Sequence, residues 1–188
     1  MTEENFHCLP DSVVNAPVIE RSPTYIADWD EYFMRMVYLA SYKSKDNRTN
    51  IGAVVVGKEH EILSTGYNSF PRGLNDSVPA RFIRPEKYFW FEHAERNAVY
   101  NACRSGVSLV GATMYTQAIP CCDCCRGVIQ SGIKELVLHT QAVNTFGDKW
   151  YEQGLRSLEM CKECGVEIRY FDKVLGMDYL RDGKILKV

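Results

Sequence analysis

Four cysteines stand in five positions at the segment Cys121-Cys122-Asp123-Cys124-Cys125, and Pro120 stands directly before them. Together with His93-Ala94-Glu95 upstream, this cluster constrains the fold more than any other feature of the chain. Cys121 and Cys124 have the C-x-x-C spacing that lets two thiolates reach one metal ion, and here the pair opens a predicted helix. A helix N-terminus favours thiolate because its free N–H groups and its dipole attract negative charge. Pro120 suits the approach to that first turn. His93 begins another predicted helix, so a fold that uses all three residues must bring two helix starts together.

Two cysteines and one histidine make a zinc-binding set, and three protein ligands leave the fourth tetrahedral position open, as catalytic sites do. Glu95 follows His93 by two residues, where a carboxylate stands beside the metal without ligating it and can act as general acid and base. The alternative register, Cys122 and Cys125, turns the ligands about 100° around the helix and loses the adjacent proline. Cys122 and Cys125 therefore read as packing residues. Cys161 and Cys164 form a second C-x-x-C, which His7 and Cys8 could in principle complete. At i and i+3 before Gly165, that pair reads as one buried helix face.

The remaining chain supplies a frame for these helix starts. The run "DWDEYFMRMVYLASYKS" has helical spacing, with Asp28 or Asp30 as its cap. "IGAVVVG" and "EILSTGYN" flank "KEH" and read as a hairpin. Helices near His93–Arg104, over "CCDCCRGVIQSG" and near Lys149–Glu163 alternate with strands at "GATMYTQ", "KELVLH" and "VEIRYF". A hairpin followed by such alternation predicts a three-layer α/β/α sandwich on a mixed five-stranded sheet. The expected divisions are an extended arm over 1–27, broken by Pro10, Pro17 and Pro23, then a domain over 28–175 and a tail over 176–188. Within the domain, residues 69–90 read as a loop insertion.

Composition narrows the function. Hydrophobic residues at 46% of 188 permit a sizeable core, and 22 Lys plus Arg against 24 Asp plus Glu give a net charge of −2. A protein that grips a nucleic-acid polymer usually carries a basic excess, so polymeric nucleic acid is not expected as a partner. No stretch approaches 18 apolar residues, so no membrane span is expected. The N-terminus is acidic and lacks the features of a secretory signal, so the chain is expected in the reducing cytoplasm, with its eight cysteines unpaired.

The paired motifs His-x-Glu and Pro-Cys-x-x-Cys are the known signature of zinc deaminases. From about Trp29 to Tyr170 the sequence resembles the zinc-dependent cytidine deaminase superfamily, through "WDEYFM", "IGAVVV", "HAERNA", "PCCDC" and "IQSGIKELVL". "WDEYFM" and "GYNSFPRG", with a long insertion before the His-x-Glu, are similar to the deoxycytidylate branch. The resemblance implies hydrolytic deamination of dCMP to dUMP and ammonia. It also implies one zinc per subunit, a homo-oligomer (hexamer or dimer), and regulation by dCTP and dTTP. Another cytosine nucleotide (5-modified dCMP or dCTP), or a base in tRNA or single-stranded nucleic acid, is the alternative substrate. A non-catalytic zinc-binding protein is the third reading, against which Glu95 speaks.

The same resemblance makes Asn68 the nucleotide-contacting asparagine and assigns the backbone near Ala94 and Ile119 to the base edge. Asn47 and Arg48, before the first strand, are candidates for sugar or 5′-phosphate. His139, ending a strand, is a candidate to line the pocket. Arg72, Arg81 and Arg84, with Lys87, give the insertion a local positive charge suited to a phosphate or a triphosphate effector.

Overall fold

The computed structural model describes residues 20–145 and 148–188. The first 19 positions of the expected arm, including Pro10, Pro17, His7 and Cys8, lie outside the described residues. Helix α1 spans Trp29–Ser41, and strands β1 (Gly52–Val56) and β2 (Ile62–Tyr67) form the hairpin. Helix α2 (Ala94–Ser105), strand β3 (Thr113–Thr116), helix α3 (Cys122–Gln130) and strand β4 (Glu135–His139) follow. Helix α4 (Asp148–Glu163), strand β5 (Glu167–Phe171) and a final hairpin, β6 (Asp178–Arg181) and β7 (Lys184–Lys187), complete the chain.

The five-stranded sheet has the order β2-β1-β3-β4-β5. β1 runs antiparallel to β2 and β3, whereas β3, β4 and β5 are parallel. The mixed sheet and its two covered faces agree with the layered sandwich expected from the sequence. Side chains alternate between faces along each strand. Val54, Val56, Tyr115, Val137 and Phe171 pack with Phe33, Met34, Val37 and Tyr38 of α1. Ala53, Val55, Met114, Leu136 and Leu138 face Ala94 and Ala98 of α2, Cys125 and Val128 of α3, and Cys161 of α4. Asp28 caps α1 by accepting from the Asp30 N–H at 2.9 Å. Asp30 instead pairs with Arg169 of β5 at 2.6 Å and accepts from the Tyr115 hydroxyl at 2.8 Å.

One glycine fixes the height of α2 over the sheet. A Cβ at Gly66 would stand 2.2 Å from the Ala94 carbonyl oxygen and 2.4 Å from the Ala98 nitrogen. The absent side chain thus lets the start of α2 descend onto β2, carrying His93 and Glu95 with it.

Two expectations for irregular segments change. Residues 176–188 are more than a tail: β6 and β7 pair antiparallel, and Tyr179 is fully buried beside α1. The hairpin is tied to the loop before β1 by Asn50 N–H to Leu180 O at 3.0 Å and Gly183 N–H to Arg48 O at 2.8 Å. The insertion 69–90 contains a 3-10 turn at Pro79–Phe82 and one helical turn at Lys87–Trp90. Phe70, Phe82 and Phe91 pack around it with ring centroids 4.3 to 5.7 Å apart. Among the described residues no helix is long and apolar enough to cross a membrane.

Candidate metal centre and nucleotide pocket

His93 is the residue before α2 and Cys121 the residue before α3, both in extended backbone. β2 and β3 both run antiparallel to β1, so the crossovers that leave them start α2 and α3 at the same end of the strands. His93 Nδ1 lies 3.4 Å from Cys121 Sγ and 3.5 Å from Cys124 Sγ. All three ligand atoms fall within 4.8 Å of one another, and among the described residues no other group of three does so. A tetrahedral zinc with ordinary Zn–S and Zn–N bonds separates a sulfur from a nitrogen ligand by about 3.6 Å. The observed spacings therefore fit a zinc ion.

Glu95 is 6% exposed and accepts from the Cys124 thiol at 3.5 Å. Burial raises its carboxyl above the usual carboxylate range, against the opposing pull of His93. Burial pulls the His93 imidazole down, yet Cys121 and Glu95 beside it prevail and hold it above its ordinary value. The Cys121 thiol is lowered to about 3, by hydrogen bonding with Cys124 and then by His93, while Cys124 moves up as the partner that keeps its proton.

Cys122 and Cys125 face α4. The Cys122 thiol donates to Gln153 O at 3.5 Å and the Cys125 thiol to Ser157 O at 3.4 Å. Cys125 Sγ is also 3.5 Å from Cys161 Sγ, whereas Cys164 is exposed. The second C-x-x-C pair is thus divided between core and solvent.

One cavity contains His93, Ala94, Glu95 and Cys121, together with Asn68 and the 118–120 segment. Tyr88, Phe91 and Trp150 supply aromatic wall, and the Trp150 ring centroid is 6.1 Å from that of His93. Arg84, Lys87 and Arg181 line the same cavity. Asn68 accepts from the Ile51 N–H at 2.7 Å and donates to Thr49 O at 2.8 Å and Asp46 Oδ2 at 3.2 Å. Both of its side-chain N–H groups are committed, and its Oδ1 accepts the Ile51 N–H. Asp46 and Lys87 form a buried ion pair, with side chains only 3% and 9% exposed.

Several expected residues lie elsewhere. His139 is fully buried on the α1 face, because strand alternation puts it on the side of Val137. Its Nε2–H donates to Lys173 O at 2.8 Å and Nδ1 accepts from the Tyr38 hydroxyl at 2.6 Å. Asn47 and Arg48 line a neighbouring hollow, which shares only Arg84 and Lys87 with the cavity. Arg72 donates to Asn101 Oδ1 at 2.5 Å, and Arg81 donates to Asn75 O at 2.7 Å while covering the Trp90 ring. Of the four cations that give the insertion its positive charge, Arg84 and Lys87 line the cavity, and Arg72 and Arg81 do not. No motif or spacing links Arg181, Tyr88 and Trp150 to the two signatures, so only the fold brings them to the cavity. Arg181 belonged to a segment read as a tail.

Residues 27–140 match the family described as the cytidine and deoxycytidylate deaminase zinc-binding region. Human deoxycytidylate deaminase is 36% identical over 115 residues, 58% of this chain and 64% of the human protein, just under two thirds of its length. The mouse deoxycytidylate deaminase is 32% identical over 151 residues, 77% of this chain and 80% of the mouse protein. Among solved structures, the dCMP deaminase of cyanophage S-TIM5 superposes with a TM-score of 0.60 at 24% identity, covering 78% of this chain and 100% of the phage chain. The same phage enzyme has been crystallised with dCMP and dUMP, and there the TM-score is 0.59 at 23% identity, over 78% of this chain and 99% of the phage chain. These two likenesses speak for the fold.

Proposed function

The chain belongs to the cytidine and deoxycytidylate deaminase family, and from that membership we propose that it hydrolyses dCMP to dUMP and ammonia. The observation that carries this reading is one cavity in which a His–Cys–Cys set and a buried glutamate meet three cationic side chains. Relatives named deoxycytidylate deaminase at 32% and 36% identity support the same substrate.

His93, Cys121 and Cys124 would hold the zinc. Zinc, when bound, supplies the Lewis acidity that makes water nucleophilic near neutral pH. Glu95 takes a proton from the attacking water, passes it to N3 of cytosine, and helps the 4-amino group leave as ammonia. The C4–N bond breaks and a C4–O bond forms, so one water yields one dUMP and one ammonia. Burial of Glu95 keeps bulk water from competing for its proton. Ala94 and the 118–120 segment border the cavity beside Glu95, and their backbone groups are suited to the base edge. Arg84 and Arg181 suit a 5′-phosphate, since charge-assisted hydrogen bonds to phosphate are the strong ones, while the Lys87 ammonium is held by Asp46.

An ammonia-release assay over deoxycytidine, dCMP, 5-modified dCMP and dCTP tests this reading. Preference for dCMP over deoxycytidine by about 100-fold in kcat/KM is expected from one or two charged hydrogen bonds. Arg181→Met should raise KM for dCMP while leaving deoxycytidine turnover nearly unchanged. Equal turnover of deoxycytidine and dCMP, or release from tRNA alone, would contradict the proposal. The same reading makes the protein a cytoplasmic homo-oligomer with dCTP and dTTP as its effectors, to be added in the same assay.

A further inference from the structure

Arg96 lies one helical turn after His93, and its side chain is 18% exposed. Its guanidinium grips Glu92 through Nε and Nη2 and reaches Asp123 Oδ2 with Nη1 at 3.6 Å. Glu92 is the residue before His93, and its Oε1 also accepts from the His93 backbone N–H at 3.0 Å. The Glu92 backbone is fixed in turn by two hydrogen bonds with Ser69, at 2.8 and 3.1 Å. Asp123 stands between Cys121 and Cys124 in the first turn of α3. The aliphatic stem of Arg96 runs along α3, since a Cβ at Gly127 would lie 3.7 Å from its Cγ.

One side chain therefore touches the acids that adjoin both halves of the His–Cys–Cys set. A surface ion pair is the plainer reading. It suits the Asp123 link taken alone, because Asp123 is 64% exposed and shared with Arg126. It does not suit the Glu92 end, where Arg96 and Glu92 are largely buried and the same carboxylate oxygen binds the His93 backbone. A planar guanidinium spans two carboxylates in a way that an ammonium cannot. Groups that orient metal ligands from outside commonly alter metal affinity by about 10–100-fold when removed.

We propose that Arg96 is a positioning residue for the metal ligands, holding the starts of α2 and α3 together through Glu92 and Asp123. The inference rests on the reading of His93, Cys121 and Cys124 as the ligand set. It is tested on the full chain loaded with zinc, by competition with a chromophoric chelator. Arg96→Met should bind zinc about 10–100-fold more weakly than the native chain, and Arg96→Lys should fall between the two. With cobalt in place of zinc, the sulfur-to-cobalt charge-transfer bands of Arg96→Met should shift and lose intensity. The metal-free unfolding midpoint of Arg96→Met should fall, because Glu92 loses its partner, but by less than the loss of zinc affinity requires.

Unchanged zinc affinity and an unchanged cobalt spectrum in Arg96→Met overturn the proposal. So does a metal loss fully matched by lower stability of the metal-free chain, because that outcome describes a packing residue. If Arg96→Met fails to fold, Asp123→Asn at its exposed position decides the matter. A smaller loss of zinc affinity supports the bridge, and none overturns it. Cys124→Ser separates the two levels of the reading. Zinc release in Cys124→Ser with full retention in Arg96→Met removes the Arg96 role alone. Zinc retention in Cys124→Ser removes the ligand set and the inference with it.

Discussion

At the scale of single residues, local spacing made four groups legible before any fold was known. His93 and Glu95 are separated by one residue, and Cys121 and Cys124 by two, so each pair needs only a helix start to converge. Register within the cysteine cluster is open to test. Cys121→Ser should lose zinc, whereas Cys122→Ser, whose thiol donates to a carbonyl of α4, should keep a full equivalent by metal analysis. Loss of zinc in Cys122→Ser would put the ligands in the other register. His139 shows the limit of such reading. Its position at a strand end was visible, but the face it takes depends on sheet register, and that register buries it against Tyr38.

At the scale of elements, the insertion and the final hairpin account for what sequence left hidden. Helices and strands of the deaminase domain announced themselves by periodicity and by glycine stops. The insertion did not, because its order comes from an aromatic cluster and from Lys87 meeting Asp46, contacts made by residues far apart in sequence. Truncating Lys87 to Met would strand a buried carboxylate beside Asn68 and the 46–49 turn. Breaking a buried pair in this way typically destabilises by about 3–5 kcal/mol, to be read from denaturant unfolding. A loss below about 1 kcal/mol, the range of exposed pairs, would contradict the burial seen here. Gly66→Ala tests the seat of α2. Crowding against Ala94 should lower stability by about 1–3 kcal/mol and reduce zinc occupancy as well.

At the scale of the whole molecule, the sheet separates two kinds of work. The α1 face and the hairpin hold a closed core, and the opposite face carries the metal set at the strand ends where two crossovers begin. A salt-bridge cluster of Asp30, Arg169 and Glu135 ties α1 to β4 and β5. Hydrogen bonding to Arg169 holds the Asp30 carboxyl below its ordinary range, despite partial burial that opposes the shift. A carboxylate lowered in the folded state adds stability above its unfolded pKa of about 3.9. That stability is lost as pH falls through the folded value. Asp30→Asn should therefore lower stability at neutral pH and flatten the acid limb below about pH 4. An unchanged acid limb in pH-dependent unfolding would remove Asp30 from that role.

The most direct test of a hydrolytic centre at this cavity is dCMP turnover by the zinc-loaded full chain, native against Glu95→Gln, with zinc content measured in both. The native chain should release one ammonia for each dUMP formed. Glu95→Gln should keep one zinc per chain and lose at least about 100-fold in kcat, the ordinary worth of a general acid–base group. Native-like turnover in zinc-loaded Glu95→Gln, or no ammonia from any cytosine nucleotide with the native chain, would contradict it.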